Sequence, residues 1–139
     1  MKLTVKSDYA ARAVLELARS YESGQARRVE DLAKTAGVSA NYLVQILIEL
    51  KSRGIVKSVR GKEGGYLLDR KPASVTLGDV LRCVHGEVFD TPAISDENCP
   101  EEMRKAWKHL QSEATKTADS INFQKLVEDG ANKEEMYYI

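Results

Sequence analysis

Cysteine is scarce in this chain of 139 residues, which holds only Cys83 and Cys99. Two thiols are too few to staple a secreted scaffold, and a core of this size needs no staple. Long apolar runs are also missing. The opening MKLTVKSDYAARAVLELA is interrupted by Asp8, Arg12 and Glu16, so it lacks the apolar centre of a signal peptide. No stretch approaches the length that spans a bilayer, and the expected location is the cytoplasm, with no membrane partner. There is no nucleophile–base pair, no metal-ligand spacing and no phosphate loop; Gly61–Gly65 lacks the Lys-Ser/Thr ending that a P-loop requires. An enzyme is therefore not expected.

Net charge is missing too: 21 basic side chains balance 21 acidic ones. The balance conceals a division. Residues 1–86 carry 15 Lys and Arg against 9 Asp and Glu, whereas residues 87–139 carry 6 against 12. A basic half joined to an acidic half suits a nucleic-acid-binding body with a separate dimerisation or regulatory arm.

The pattern along the basic half is specific. Residues 7–20 place Tyr9, Ala10, Ala13, Val14, Leu17 and Ala18 on one helical face. A second helix is expected from Val29, with Glu30 and Asp31 at the positive end of its dipole. Its buried side is Leu32, Ala33 and Ala36, where the small Ala33 allows a close helix crossing. Gly37 then permits a tight turn, and Ser39 caps a third helix. That helix buries Leu43, Ile46, Leu47 and Leu50, and turns out a mixed face of Asn41, Tyr42, Val44, Gln45, Ile48, Glu49 and Ser52. Gly54 ends it. Short strand patterns at 55–59 and 66–68 flank Arg60-Gly61-Lys62-Glu63-Gly64-Gly65, a basic tip whose glycines predict flexibility. Helix, turn, helix and basic hairpin in that order are the sequence form of a winged helix-turn-helix, and double-stranded DNA is the expected ligand.

Beyond Pro72, Thr76 and Asp79 form a capping box for a helix with Leu77, Val80, Leu81 and Val84 on its apolar side, stopped by Gly86. Residues 87–99 read as an irregular acidic loop. One long last helix is expected from Pro100, a favoured first helical position. Met103, Trp107, Leu110, Ala114, Thr117 and Ile121 recur along it at heptad spacing. A lone helix cannot bury such a seam, which predicts a homodimer joined through Met103, Trp107, Leu110 and Ile121. The fold class is mainly α with a small β-hairpin wing: a DNA-binding domain at 1–86, a regulatory loop at 87–99, and a dimerisation helix with C-terminal tail at 100–139.

These residues resemble the BadM/Rrf-type family of bacterial repressors, whose branches include IscR, NsrR and CymR. The resemblance runs through Met1-Lys2-Leu3-Thr4, Tyr9-Ala10, Arg12, Val38-Ser39, Tyr42-Leu43 and Gly54-Ile55-Val56. It continues through Ser58-Val59-Arg60-Gly61, Gly64-Gly65-Tyr66, Thr76-Leu77-Gly78-Asp79-Val80 and Gly86. It implies a recognition helix in the major groove and a wing Arg in the minor groove. The matching positions are Ser39, Asn41, Tyr42 and Gln45 on the helix and Arg60 in the wing, with Lys62 beside it. Gln45 suits an adenine edge, Ser39 and Tyr42 suit phosphates, and Arg60 suits a narrow A·T groove. At Val44, where some family members carry a base-reading acid, only an apolar contact such as a thymine methyl is available.

The family's sensing branches hold an iron–sulfur cluster with three cysteines in the loop before the last helix. Here that loop has Cys99 alone, and Asp8 stands where an acid serves as ligand in some relatives. The set falls short of the usual thiolates, so no cofactor is expected; Cys83 reads as a small buried hydrophobe. His85 and His109 are not spaced to share a site with either cysteine. Cys99 reads as the N-cap of the last helix and is a candidate redox thiol. The helix dipole would lower its pKa while Asp96, Glu97, Glu101 and Glu102 would raise it, and a plain loop cysteine is the alternative. The absence of a full cysteine set makes CymR-like members the nearest in character. That likeness implies a repressor of sulfur or cysteine metabolism and a sulfur-metabolism enzyme as partner, captured by Tyr138 and Ile139 at the apolar tail; packing of the tail on the dimer is the alternative. Two further readings stay open: a cluster- or thiol-based sensor on the same fold, and a winged-helix module that docks protein instead of DNA.

Overall fold

The computed structural model describes residues 3–138, with side chains through residue 133. Helix α1 spans Val5–Arg19, α2 Val29–Ala36 and α3 Ala40–Ser52. Thr4 caps α1 by accepting from the Ser7 amide. Ala10, Ala13, Val14, Leu17 and Ala18 face inward at helical spacing, as the periodicity predicts. Gly37 closes α2 at φ 76°, in the left-handed region that favours glycine. Leu43, Ile46, Leu47 and Leu50 from α3 enter the same core as Leu32 and Ala33 from α2.

Strands β1 (Val56–Val59) and β2 (Gly65–Leu68) form an antiparallel hairpin in the register Val56↔Leu68 to Val59↔Gly65. On the far edge of β2, Arg27 and Tyr66 exchange backbone hydrogen bonds of 2.9 and 2.8 Å. The wing is therefore sewn to the segment that leads into α2. Helix α4 (Leu77–His85) carries the expected capping box between Thr76 and Asp79.

The terminal segment differs from the single helix expected. It forms α5 (Glu101–Ser120) and α6 (Phe123–Tyr138), broken at Ile121 and Asn122. The cause is backbone pairing across the break: the Leu77 amide donates to the Ile121 carbonyl at 2.8 Å and the Phe123 amide to the Val75 carbonyl at 3.0 Å. Asn122 then caps α6, its Oδ1 accepting from the Lys125 amide at 2.9 Å. Helix α6 packs back along α1, and Phe123 is 1 % exposed within the main core. Pro100 is the N-cap of α5, not its first helical residue, so Cys99 lies one residue outside the cap.

Helices α4 and α5 meet through a smaller apolar cluster of Leu81, Val88 and Ala118. Beside it Arg82 donates to Asp119 at 2.7 Å and to Asp79 at 3.2 Å. Gly78 gives Asp119 room at this crossing: a Cβ there would lie 1.9 Å from Asp119 Oδ1 and displace that carboxylate. Burial raises the Asp79 carboxyl. Hydrogen bonds from Thr76 and Arg82 and the charge of Arg70 outweigh it, leaving the pKa below the ordinary carboxylate value. The hydrogen bond to Asp119 holds the Arg82 guanidinium above its usual value. Among the described residues, no helix is long and apolar enough to cross a membrane.

Candidate nucleic-acid interface

The outward side of α3 carries Asn41, Tyr42 and Gln45, all exposed. Ser39 sits at its N-cap and accepts from the Tyr42 amide at 3.2 Å. Its hydroxyl hydrogen is free to donate to a phosphate while the oxygen caps. Tyr42 is held from the side: its ring meets Tyr9 edge-on at 5.9 Å between centroids. The Arg12 guanidinium lies 5.5 Å from the Tyr9 ring and donates to the Ala36 carbonyl at 3.0 Å. The chain Arg12–Tyr9–Tyr42 thus holds an α3 side chain from α1, leaving the Tyr42 ring partly exposed outside the core.

Arg60 and Lys62 are exposed at the wing tip, as the basic hairpin predicts. The tip glycines act differently from the expected flexible frame. A Cβ on Gly64 would come 2.3 Å from the Val59 carbonyl oxygen, and one on Gly65 equally close to the Arg27 carbonyl oxygen. They let backbone segments touch. The tip is also tethered, because Arg28 donates to the Lys62 carbonyl at 2.9 Å. Lys51 at the end of α3 donates to Ser58 Oγ of β1 at 2.8 Å, tying α3 to the wing. Arg28 and Lys51 were not among the residues expected here. Their partners are 34 and 7 positions away, and no local spacing signals the pairing.

A second surface lies on α5. Met103 and Leu110 are exposed, while Trp107 and Ile121 are half-buried. Ile121 stands at the C-cap of α5 in extended backbone and not on a continuing helical seam. An open apolar groove of about 440 Å³ lies between α4 and α5, lined among others by Leu3, Leu77, Leu81, Phe89, Leu110 and Ile121. Leu3 and its neighbour Val5 are 56 % and 61 % exposed. The heptad spacing pointed to α5 but gave no sign that the start of the chain shares its open face.

The cysteines are separated in role. Burial pushes the Cys83 thiol above its ordinary pKa, and the thiol donates to the Glu49 carbonyl at 3.3 Å, a more polar setting than the buried hydrophobe expected. Cys99 is half-buried, and its carbonyl accepts from Arg104 at 3.1 Å. Asp8 is engaged by Arg12 at 2.7 Å. Among the described residues no three His, Cys, Asp or Glu side chains are grouped to hold a metal ion. Tyr138 lies where only the backbone is described, and Ile139 lies outside the described residues.

Comparison with known proteins agrees with this architecture. The Rrf2 family model, described as an iron-dependent transcriptional regulator, matches residues 3–129. The regulator CymR of Bacillus subtilis is 30 % identical over the whole of both chains. The regulator IscR of Aliivibrio salmonicida is 34 % identical, covering 93 % of this chain and 79 % of its own. The solved structure of B. subtilis CymR, described as a global cysteine regulator, superposes with a TM-score of 0.82 at 27 % identity, covering 92 % of this chain and 97 % of its own.

Proposed function

Because the chain belongs to the Rrf2 family of transcriptional regulators, we propose that it acts as a homodimeric, sequence-specific DNA-binding repressor in the cytoplasm. Its relatives are regulators, so its activity is binding and not catalysis. One observation carries the reading: the exposed polar side of α3 and the basic wing tip are fixed to each other through Lys51–Ser58, while Arg28 secures the tip from behind. A preformed helix-and-wing unit loses little freedom on docking. In this reading Asn41 and Gln45 meet base edges, Ser39 and Tyr42 meet phosphates, and Arg60 enters the minor groove with Lys62 beside it. The groove beside α5, together with Met103, Trp107, Leu110 and Ile121, takes the second protomer. Two recognition helices then address half-sites about 34 Å apart.

A role in sulfur or cysteine metabolism is supported by the likeness to CymR over the full chain. The tail Tyr137-Tyr138-Ile139 extends the same reading. A sulfur-metabolism enzyme captures it, with a pocket taking Ile139. Calorimetry with and without the last two residues tests this: equal affinity for the enzyme removes the idea.

The DNA-binding reading is tested by selecting duplexes from a random pool with the full-length protein. Arg60→Ala should stay a folded dimer and bind the selected duplex much more weakly. Gln45→Ala should cost about 1–3 kcal/mol and relax preference at one base position. Parental affinity in both variants would overturn the docking mode.

A further inference from the structure

The outward side of α3 is not uniformly polar. Ile48 is 53 % exposed, and Val44, one helical turn earlier, is half-buried without joining either core cluster. Ile48 is the helical neighbour of both Val44, four residues before it, and Gln45, three before it, so the three share one side of α3. Neither side chain is part of a core cluster of the fold. Both are β-branched and lose rotamer freedom in a helix, so the exposed Ile48 gains nothing for α3 itself.

The surroundings narrow what could cover them. Lys51, Arg53, Lys57, Arg60 and Lys62 are all exposed on the end of α3 and the wing that follows it. An apolar pair on a helix whose end and following wing are cationic complements a polyanion that presents a few apolar groups. Duplex DNA is such a ligand. On the base edges of its major groove the apolar group is the thymine C5 methyl.

We propose that Val44 and Ile48 are specificity residues that read thymine methyl groups beside the base met by Gln45. This rests on the DNA-binding reading above and adds a statement about the operator. Four residues of α-helix rise about 6 Å, close to two base-pair steps of 3.4 Å. Each half-site should therefore carry two thymines within about two steps of one another.

Deoxyuridine tests the inference directly, because it pairs as thymine does and lacks only the methyl. Duplexes selected by the full-length protein are resynthesised with uracil replacing one thymine at a time. The expected result is about a fourfold loss of affinity per methyl read, the value of one buried methyl-sized group, and no change at flanking thymines. In Ile48→Ser, which alters an exposed side chain, the penalty at one of the two positions should disappear while the dimer persists. Equal affinity of thymine and uracil duplexes at every half-site position would overturn this inference and leave the DNA-binding reading intact. Failure to retain any duplex at all would overturn both.

Discussion

The helix-turn-helix core and the α5 arm contain similar apolar residues at regular spacing, yet they end in opposite states. Leu43, Ile46, Leu47 and Leu50 of α3 are fully buried. On α5 only Ala118 is buried, while Met103 and Leu110 remain about half exposed. The first set finds its partners within the chain and the second does not. Helix α6 stands between the two cases: it belongs to the arm in sequence, but Phe123, Leu126 and Val127 pack on the main core. The folded unit therefore extends past residue 86 and closes only when the chain returns from α5.

This contrast can be broken at Phe123. Truncation to Ala removes a fully buried ring where α6 meets the module and should cost about 3–5 kcal/mol. Denaturant unfolding should show one transition with a lower midpoint. A loss below about 1 kcal/mol would mean that α6 is accessory and the module closes without it.

The contrast is sharpened at Trp107. If α5 is left open for a second protomer, Trp107→Glu should yield monomers in sedimentation and weaken binding to a palindromic selected duplex by at least about 30-fold. Its melting temperature at high dilution should match that of the dissociated parent. A variant that remains dimeric would assign the open face to something other than self-association.

The smallest effect is expected at the junction of the two regions. Asp79 has a native pKa below its unfolded value. The unfolded chain therefore takes up its proton first as pH falls. The stabilisation from this carboxylate is complete above the unfolded value, near 3.8, and is lost as pH drops through the native one. Asp79→Asn should flatten the acid limb of stability between about pH 5 and pH 2 in urea titrations. An unchanged limb would assign acid sensitivity to other carboxylates.

What the sequence revealed about the fold was mostly local. Ser39 as a cap, the Thr76–Asp79 box and Gly37 at the turn depend on residues within four positions of one another. Their structural roles follow the reading. The break at Ile121 was obscured because the 4, 3, 4 spacing runs straight through it, although Asn122 is a good cap. What decided the break was extended backbone at Val75 and Thr76, more than forty positions earlier, where Thr76 bridges to Asn122. The candidate interface divides the same way. The exposed side of α3 and the basic tip were legible from periodicity and charge. The Arg28 tether, the Tyr9–Tyr42 contact and the participation of Leu3 and Val5 in the open face join distant segments and leave no local signature. At two of the tip glycines, Gly64 and Gly65, periodicity and charge gave no hint of the close approach of backbone segments that each permits.

The pairing of Arg27 with Tyr66 also bears on how the protein behaves in a crowded solution. A two-stranded ribbon leaves rows of unpaired amides and carbonyls on both outer edges, and such edges recruit other extended chains. Here one edge is occupied by Arg27. The other belongs to β1, which is only four residues long and carries an exposed Lys57. The wing hairpin is thereby poorly suited to seed aggregation.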